Sequence, residues 1–141
     1  MALRLTFVLA LVVAACTGPP TGVPFDLEVV TGQGGGFAGT WSGFVLTADG
    51  SVQRWTSQAG DDRTMEPAGA LSAESVAAIW SRLQDDALDL EVDAPGNLSR
   101  SLEVVANGET HRLTWEAMAH ADLDALWTDL STQLAAHSPQ N

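Results

Sequence analysis

The pair Asn107-Gly108 stands between two strand-forming runs, Leu98 to Ala106 and Glu109 to Trp115. No other feature constrains the fold of this chain so tightly, because Asn-Gly is the strongest short-range signal for a two-residue hairpin. Such a closure dictates the register. Val104 should face His111, Leu102 Leu113 and Arg100 Trp115, while the opposite face pairs Glu103 with Arg112 and Ser101 with Thr114. Both faces make chemical sense, one mainly apolar and one carrying a charge pair. His111 alternates in step with Leu113 and Trp115 and so reads as a sheet residue, not as a metal ligand.

Other segments show the same period of two. Phe25, Leu27 and Val29 alternate with Asp26 and Glu28, which predicts a half-buried strand ending at Gly32. Trp41 to Thr47 and Ser51 to Thr56 flank Ala48-Asp49-Gly50, a second hairpin signal. Closed through Asp49-Gly50, it sets Phe44 opposite Trp55 and puts Phe44, Leu46 and Trp55 on one core-facing side. Ser57 to Ala70 is polar and turn-rich. Ser72 then offers a helix N-cap with Glu74 in the first turn, followed by Val76, Ile79, Trp80, Leu83 and Ala87 at helical spacing. Leu123, Leu126, Trp127, Leu130 and Leu134 repeat that stripe in a last helix starting near Asp122. The two helices echo each other, as a hairpin-plus-helix repeat or as two amphipathic helices must. The expected fold is α+β: an antiparallel sheet of four to five strands with two amphipathic helices packed on one face, in the order β-ββ-α-ββ-α.

The start of the chain is of another kind. Arg4 precedes an apolar run from Leu5 to Val12 that is too short to span a bilayer, and small residues follow, as in a secretory signal. Val13-Ala14-Ala15-Cys16 at its end resembles the lipobox of bacterial lipoproteins, which implies that Cys16 becomes the lipidated first residue of the mature protein. An ordinary signal cleaved after Ala15 is the alternative. Residues 1–15 are read as the signal, 16–24 as the lipidated cysteine and a Pro- and Gly-rich tether, 25–136 as one α+β domain and 137–141 as a tail. Eight tether residues reach at most about 26 Å, which keeps the domain near the membrane. Two or three acyl chains would hold it there, at roughly 0.8 kcal/mol per buried methylene. Thr17 lacks the aspartate linked to inner-membrane retention in some bacteria, so the expected location is the outer membrane of the cell envelope.

Composition narrows the partners. Asp and Glu number 18 against 6 arginines, lysine is absent and the net charge is −12. Such a surface does not suit nucleic acid or anionic lipid, which need clustered Lys and Arg. Cys16 is the only cysteine, so no internal disulfide is expected and burial must hold the domain together.

Constellations for catalysis are missing: there is no nucleophile elbow, His-Glu-x-x-His or phosphate loop ending in Lys. The chain reads as a non-enzyme with no cofactor and no metal. Asp89, Glu91 and Asp93 fail as a calcium loop, since Ala94 replaces the required glycine and Arg100 the bidentate Glu. Their alternation with Leu88, Leu90 and Val92 predicts a helix exit and a short, charged edge strand. Gly34 to Gly39 reads as a wide turn with Phe37 as its apolar anchor in the core, or as a place where another chain approaches closely.

Gly35-Gly36-Phe37-Ala38-Gly39 after a first strand, followed by a second strand, a helix with Trp80 and Leu83, a hairpin and a closing helix, resembles the emfourin family over roughly Leu27 to Leu134. Emfourins are small inhibitors of thermolysin-like metalloproteases such as protealysin. The resemblance implies a non-catalytic domain that blocks a protease cleft, with Gly35, Gly36, Phe37, Ala38 and Gly39 and the acidic edge at Asp89, Glu91 and Asp93 as candidate partner-binding residues. The alternative is a structural envelope lipoprotein that binds another envelope component and inhibits nothing.

Overall fold

The Asn-Gly hairpin closes in the expected register. In the computed structural model, which describes residues 20–58 and 61–136, β6 (Leu98–Ala106) and β7 (Glu109–Glu116) pair Val104 with His111, Leu102 with Leu113 and Arg100 with Trp115. Asn107 (φ 55) and Gly108 (φ 78) both occupy the left-handed region that this turn requires. The turn is also clamped from outside: the Asp26 carboxylate accepts from the Asn107 amide at 2.8 Å and the Gly108 amide at 2.6 Å. These amides, that of Gly108 foremost, hold the Asp26 carboxyl below its ordinary value.

The rest of the sheet corrects the expected strand count. Besides this hairpin it contains β1 (Glu28–Gly35), β2 (Thr40–Thr47), β3 (Ser51–Ser57), β4 (Thr64–Ala70) and a two-residue β5 (Asp93–Ala94). Seven strands run in the order β4-β3-β2-β1-β6-β7-β5, with β5 parallel to β7 and every other pair antiparallel. A seven-stranded mixed sheet thus replaces the four to five antiparallel strands. β4 is hidden in a polar stretch because, as an edge strand, it buries only Ala68. β1 runs past Gly32 to Gly35, since partners on both sides supply its hydrogen bonds through the glycines. Phe25 lies outside the strand and is exposed.

The β2–β3 register is also corrected. Leu46 pairs with Val52, which leaves a longer connection than Asp49-Gly50 alone, and Gly43 rather than Phe44 falls opposite Trp55. Asp49 organises that connection, accepting from the Ser51 amide at 3.0 Å and the Thr47 hydroxyl at 2.7 Å. A slip of one residue moves a side chain to the other face. Leu46 and Phe44 therefore join the main core, whereas Trp55 lies on the opposite face with Val30, Val45 and Trp41.

Helix α1 (Ala73–Asp86) starts at Ser72, whose hydroxyl accepts from the Ser75 amide at 3.2 Å, and buries Val76, Ile79, Trp80 and Leu83. Helix α2 (Ala121–Ala136) buries Leu123, Leu126, Leu130 and Leu134. The expected placement of both helices on the sheet face is corrected too: α2 lies over β1, β2 and β6, and α1 packs beside α2. Arg82 bridges them, pairing with Asp129 at 2.9 Å and with Asp86 of its own helix at 3.3 Å. Both stripes meet Val29, Leu102, Val104, Leu113 and Trp115 in one cluster. Each such side chain contributes roughly 1.5–3 kcal/mol by leaving water.

Candidate functional site

Three connections meet at the end of the sheet away from the Asn-Gly turn. The first is the turn between β1 and β2, where Gly35 (φ 109), Gly36 (φ 68) and Gly39 (φ 59) take left-handed conformations. The Gly36 amide donates to the Asn97 carbonyl at 2.5 Å, which ties this turn to the residues leading into β6. The Ala117 amide in turn donates to the Leu98 carbonyl at 2.8 Å, which ties in the connection after β7.

Three large apolar side chains meet solvent there. Phe37 is fully exposed, Met118 is 88% exposed and Leu98 is 44% exposed. Phe37 is thus no core anchor: with β1 reaching Gly35 and β2 starting at Thr40, the tip stands clear of the sheet. Met118 is held at φ 70, a conformation unfavourable for a side chain of its size, within a turn closed by the Ala119 amide and the Glu116 carbonyl at 3.0 Å. Single exposed apolar residues are ordinary, but Phe37 and Met118 on two turns and Leu98 at the start of β6 make a rim of the kind that marks interaction sites.

Gly35, Gly36, Phe37, Ala38 and Gly39 therefore stay together at one tip. Asp89 and Glu91 are exposed on the stretch after α1, and only Asp93 enters a strand, at the outer edge beside β7. No hydrogen bond or ion pair joins Asp89, Glu91 or Asp93 to the glycine turn among the described residues. The acidic edge and the glycine turn are separate features.

Sequence reasoning missed a second surface, on the sheet face away from the helices. Trp55 lies across Gly32 and Gly43: a Cβ on Gly32 would stand 3.0 Å from its Cζ2, and one on Gly43 2.9 Å from its Nε1. Its indole N–H donates to the Thr31 carbonyl at 3.0 Å. Trp41 covers Gly34 in the same way, its Cγ only 2.5 Å from where a Cβ would be. Beside these rings a cleft of about 240 Å³ is lined by Val30, Arg63, Ser101, Glu103, Arg112 and Thr114. Arg63 stacks over Trp55 at 4.5 Å, and Arg112 pairs with Glu103. The signal for this surface was glycine at alternate positions of β1, Gly32 and Gly34, which leaves one sheet face without side chains for rings to fill.

On the helix face, polar groups dock α2. Asp124 accepts from Arg100 at 2.7 Å and from the Trp115 indole at 3.1 Å, Arg100 stacks on Trp127 at 4.5 Å, and the Trp127 indole donates to the Gly32 carbonyl at 3.0 Å. Burial raises the Asp124 carboxyl, but the Trp115 N–H and the Arg100 charge outweigh it and hold the group below its ordinary value.

Among the described residues no group of three or more His, Cys, Asp or Glu is placed to hold a metal ion. Comparison with protein-family models and with curated proteins gives no match. Residues 1–19, with Arg4, Cys16 and Thr17, and residues 137–141 lie outside the described residues, so the readings made on them have no structural counterpart.

Proposed function

We propose that this chain is a lipid-anchored, non-catalytic binding protein of the bacterial cell envelope, and that its rim of Phe37, Leu98 and Met118 docks into the cleft of a thermolysin-like metalloprotease. The observation that carries the reading is Phe37: a large apolar side chain, fully exposed, at the tip of a turn held between two paired strands. A preordered tip of this kind loses little conformational freedom on binding. Phe37 supplies the anchor for a peptide-binding cleft, on a turn whose Gly36 and Gly39 amides are already bonded within the domain. Inhibition by this route needs no chemistry from the inhibitor.

Under this reading the layout of the sheet orients the rim. Asp26, close to the proposed tether, is clamped to the Asn-Gly turn, and β1 runs from that end to the glycine turn. Eight strand residues cover about 26 Å. A chain held through Cys16 would therefore present the rim away from the bilayer, towards a soluble partner.

The test is inhibition of a thermolysin-like protease by the chain from Thr17 onward. Slowing of the enzyme that is lost in Phe37→Ala is the expected result; digestion of the domain with no slowing refutes protease inhibition. Pull-down of an envelope component under those circumstances would favour the structural-lipoprotein alternative. Labelled palmitate should enter the wild type and not Cys16→Ser.

A further inference from the structure

We propose that the helix-free face of the sheet is a binding site for a small, flat organic carboxylate, which Arg63 and Arg112 bind through its anion and Trp41 through its ring. The starting point is a difference among the arginines. Arg54 pairs with Glu66 at 2.6 Å, Arg82 with Asp86 and Asp129, Arg100 with Asp124 at 2.7 Å, and Arg112 with Glu103. Arg63 has no carboxylate partner among the described residues, in a chain with 18 acidic side chains. It lies instead on the Trp55 ring.

Stacking uses the face of a guanidinium and leaves its N–H groups, which point outward in the plane, free to donate. A carboxylate can take two of them side by side. Arg112 lines the same cleft with its charge offset by Glu103, so the cleft has the equivalent of one uncompensated positive charge and suits a monoanion. Trp41 is half-buried, with its indole spread over Gly34, and offers a ring surface at the cleft wall. The hydroxyls of Ser101 and Thr114 complete the lining. At about 240 Å³ the space falls below the usual range for drug-sized ligands, roughly 300–1,000 Å³, which favours a small molecule over a peptide. This surface is distinct from the Phe37 rim, and the two proposals stand or fall separately.

The experiment titrates the full chain with 2-naphthoate and, in parallel, with the neutral alcohol 2-naphthylmethanol, following tryptophan fluorescence and binding heat. Saturable binding of naphthoate is expected, at least tenfold tighter than that of the alcohol and at least tenfold weaker in Arg63→Gln. Arg63 is at the surface, so the variant should keep the wild-type circular dichroism and urea midpoint. Trp41→Leu, tested under the same fold control, should weaken naphthoate and leave no ring-dependent difference between naphthoate and acetate. No saturation by about 1 mM, equal affinity for acid and alcohol, or undiminished binding in Arg63→Gln would overturn the proposal.

Discussion

Gly43→Ala tests the central claim about the helix-free face, that its glycines exist to let two indoles lie flat on the sheet. Glycine in a strand interior ordinarily costs about 0.5–1 kcal/mol relative to alanine, so on propensity alone this change should stabilise the protein. Packing here reverses the sign. The new Cβ would collide with the Thr31 carbonyl oxygen and stand 2.9 Å from Trp55 Nε1, the two atoms whose hydrogen bond, at 3.0 Å, fastens the ring to the sheet. Forcing a methyl group into a filled site costs about 1–3 kcal/mol, and a buried donor and acceptor driven apart cost about 1–3 kcal/mol more. The expected loss is therefore about 2–6 kcal/mol, a large share of the 5–15 kcal/mol typical of a whole domain. Urea denaturation followed by circular dichroism measures it. Gly36→Ala serves as the comparison, because space around Gly36 is open and only its φ of 68 opposes a side chain, at about 1–2 kcal/mol. A loss under about 1 kcal/mol in Gly43→Ala, or a gain, would refute the argument.

Other expectations follow from the polar contacts and the helix stripes. Asp124→Asn should cost about 1.5–3 kcal/mol at neutral pH, since Asp124 is only 14% exposed and bonded to a cation. Its carboxyl is held below its ordinary value of 3.8 in the folded state, so its contribution is present above about pH 4 and disappears as pH falls through the lower native value. Urea midpoints of both proteins from pH 7 down to pH 2 should converge, and a constant gap would contradict the assignment. Asp26 should titrate below 3.8 by carboxyl NMR, and Asp26→Asn should speed hydrogen exchange at the Asn107 and Gly108 amides. Trp80→Ala should cost on the order of 3–5 kcal/mol in the same denaturation assay, and Trp127→Ala less, because Trp127 is only half-buried beside the core. Phe37→Ala should change stability by less than about 0.5 kcal/mol, whatever it does to partner binding.

What could be read in advance was local. The Asn-Gly register, the Ser72 cap and the two apolar stripes each depend on residues within a few turns or rungs of one another, and there the pattern of side chains is sufficient. The errors lie where partners are distant. A two-residue Asp-Gly loop puts Trp55 opposite Phe44 and in the core; the longer connection organised by Asp49 reverses its face. Phe37, the only large apolar residue in a glycine run, reads as a core anchor, yet glycines that pair as a strand leave the turn too short to fold back. β4 escaped notice because an edge strand buries so little that its sequence need not alternate, and the edge strand expected around Asp89 to Asp93 forms only at Asp93–Ala94.

The sequence by itself therefore determined a hairpin, two amphipathic helices and a strongly acidic composition, because each rests on composition or on near neighbours. Only the tertiary structure decided what the glycines are for. In β1 they are paired strand residues roofed by Trp41 and Trp55, and in the turn they hold Phe37 in solvent. Whether a glycine gives way to a ring or to a turn depends on what the neighbouring strands bring against it, and that is not written within the glycine run.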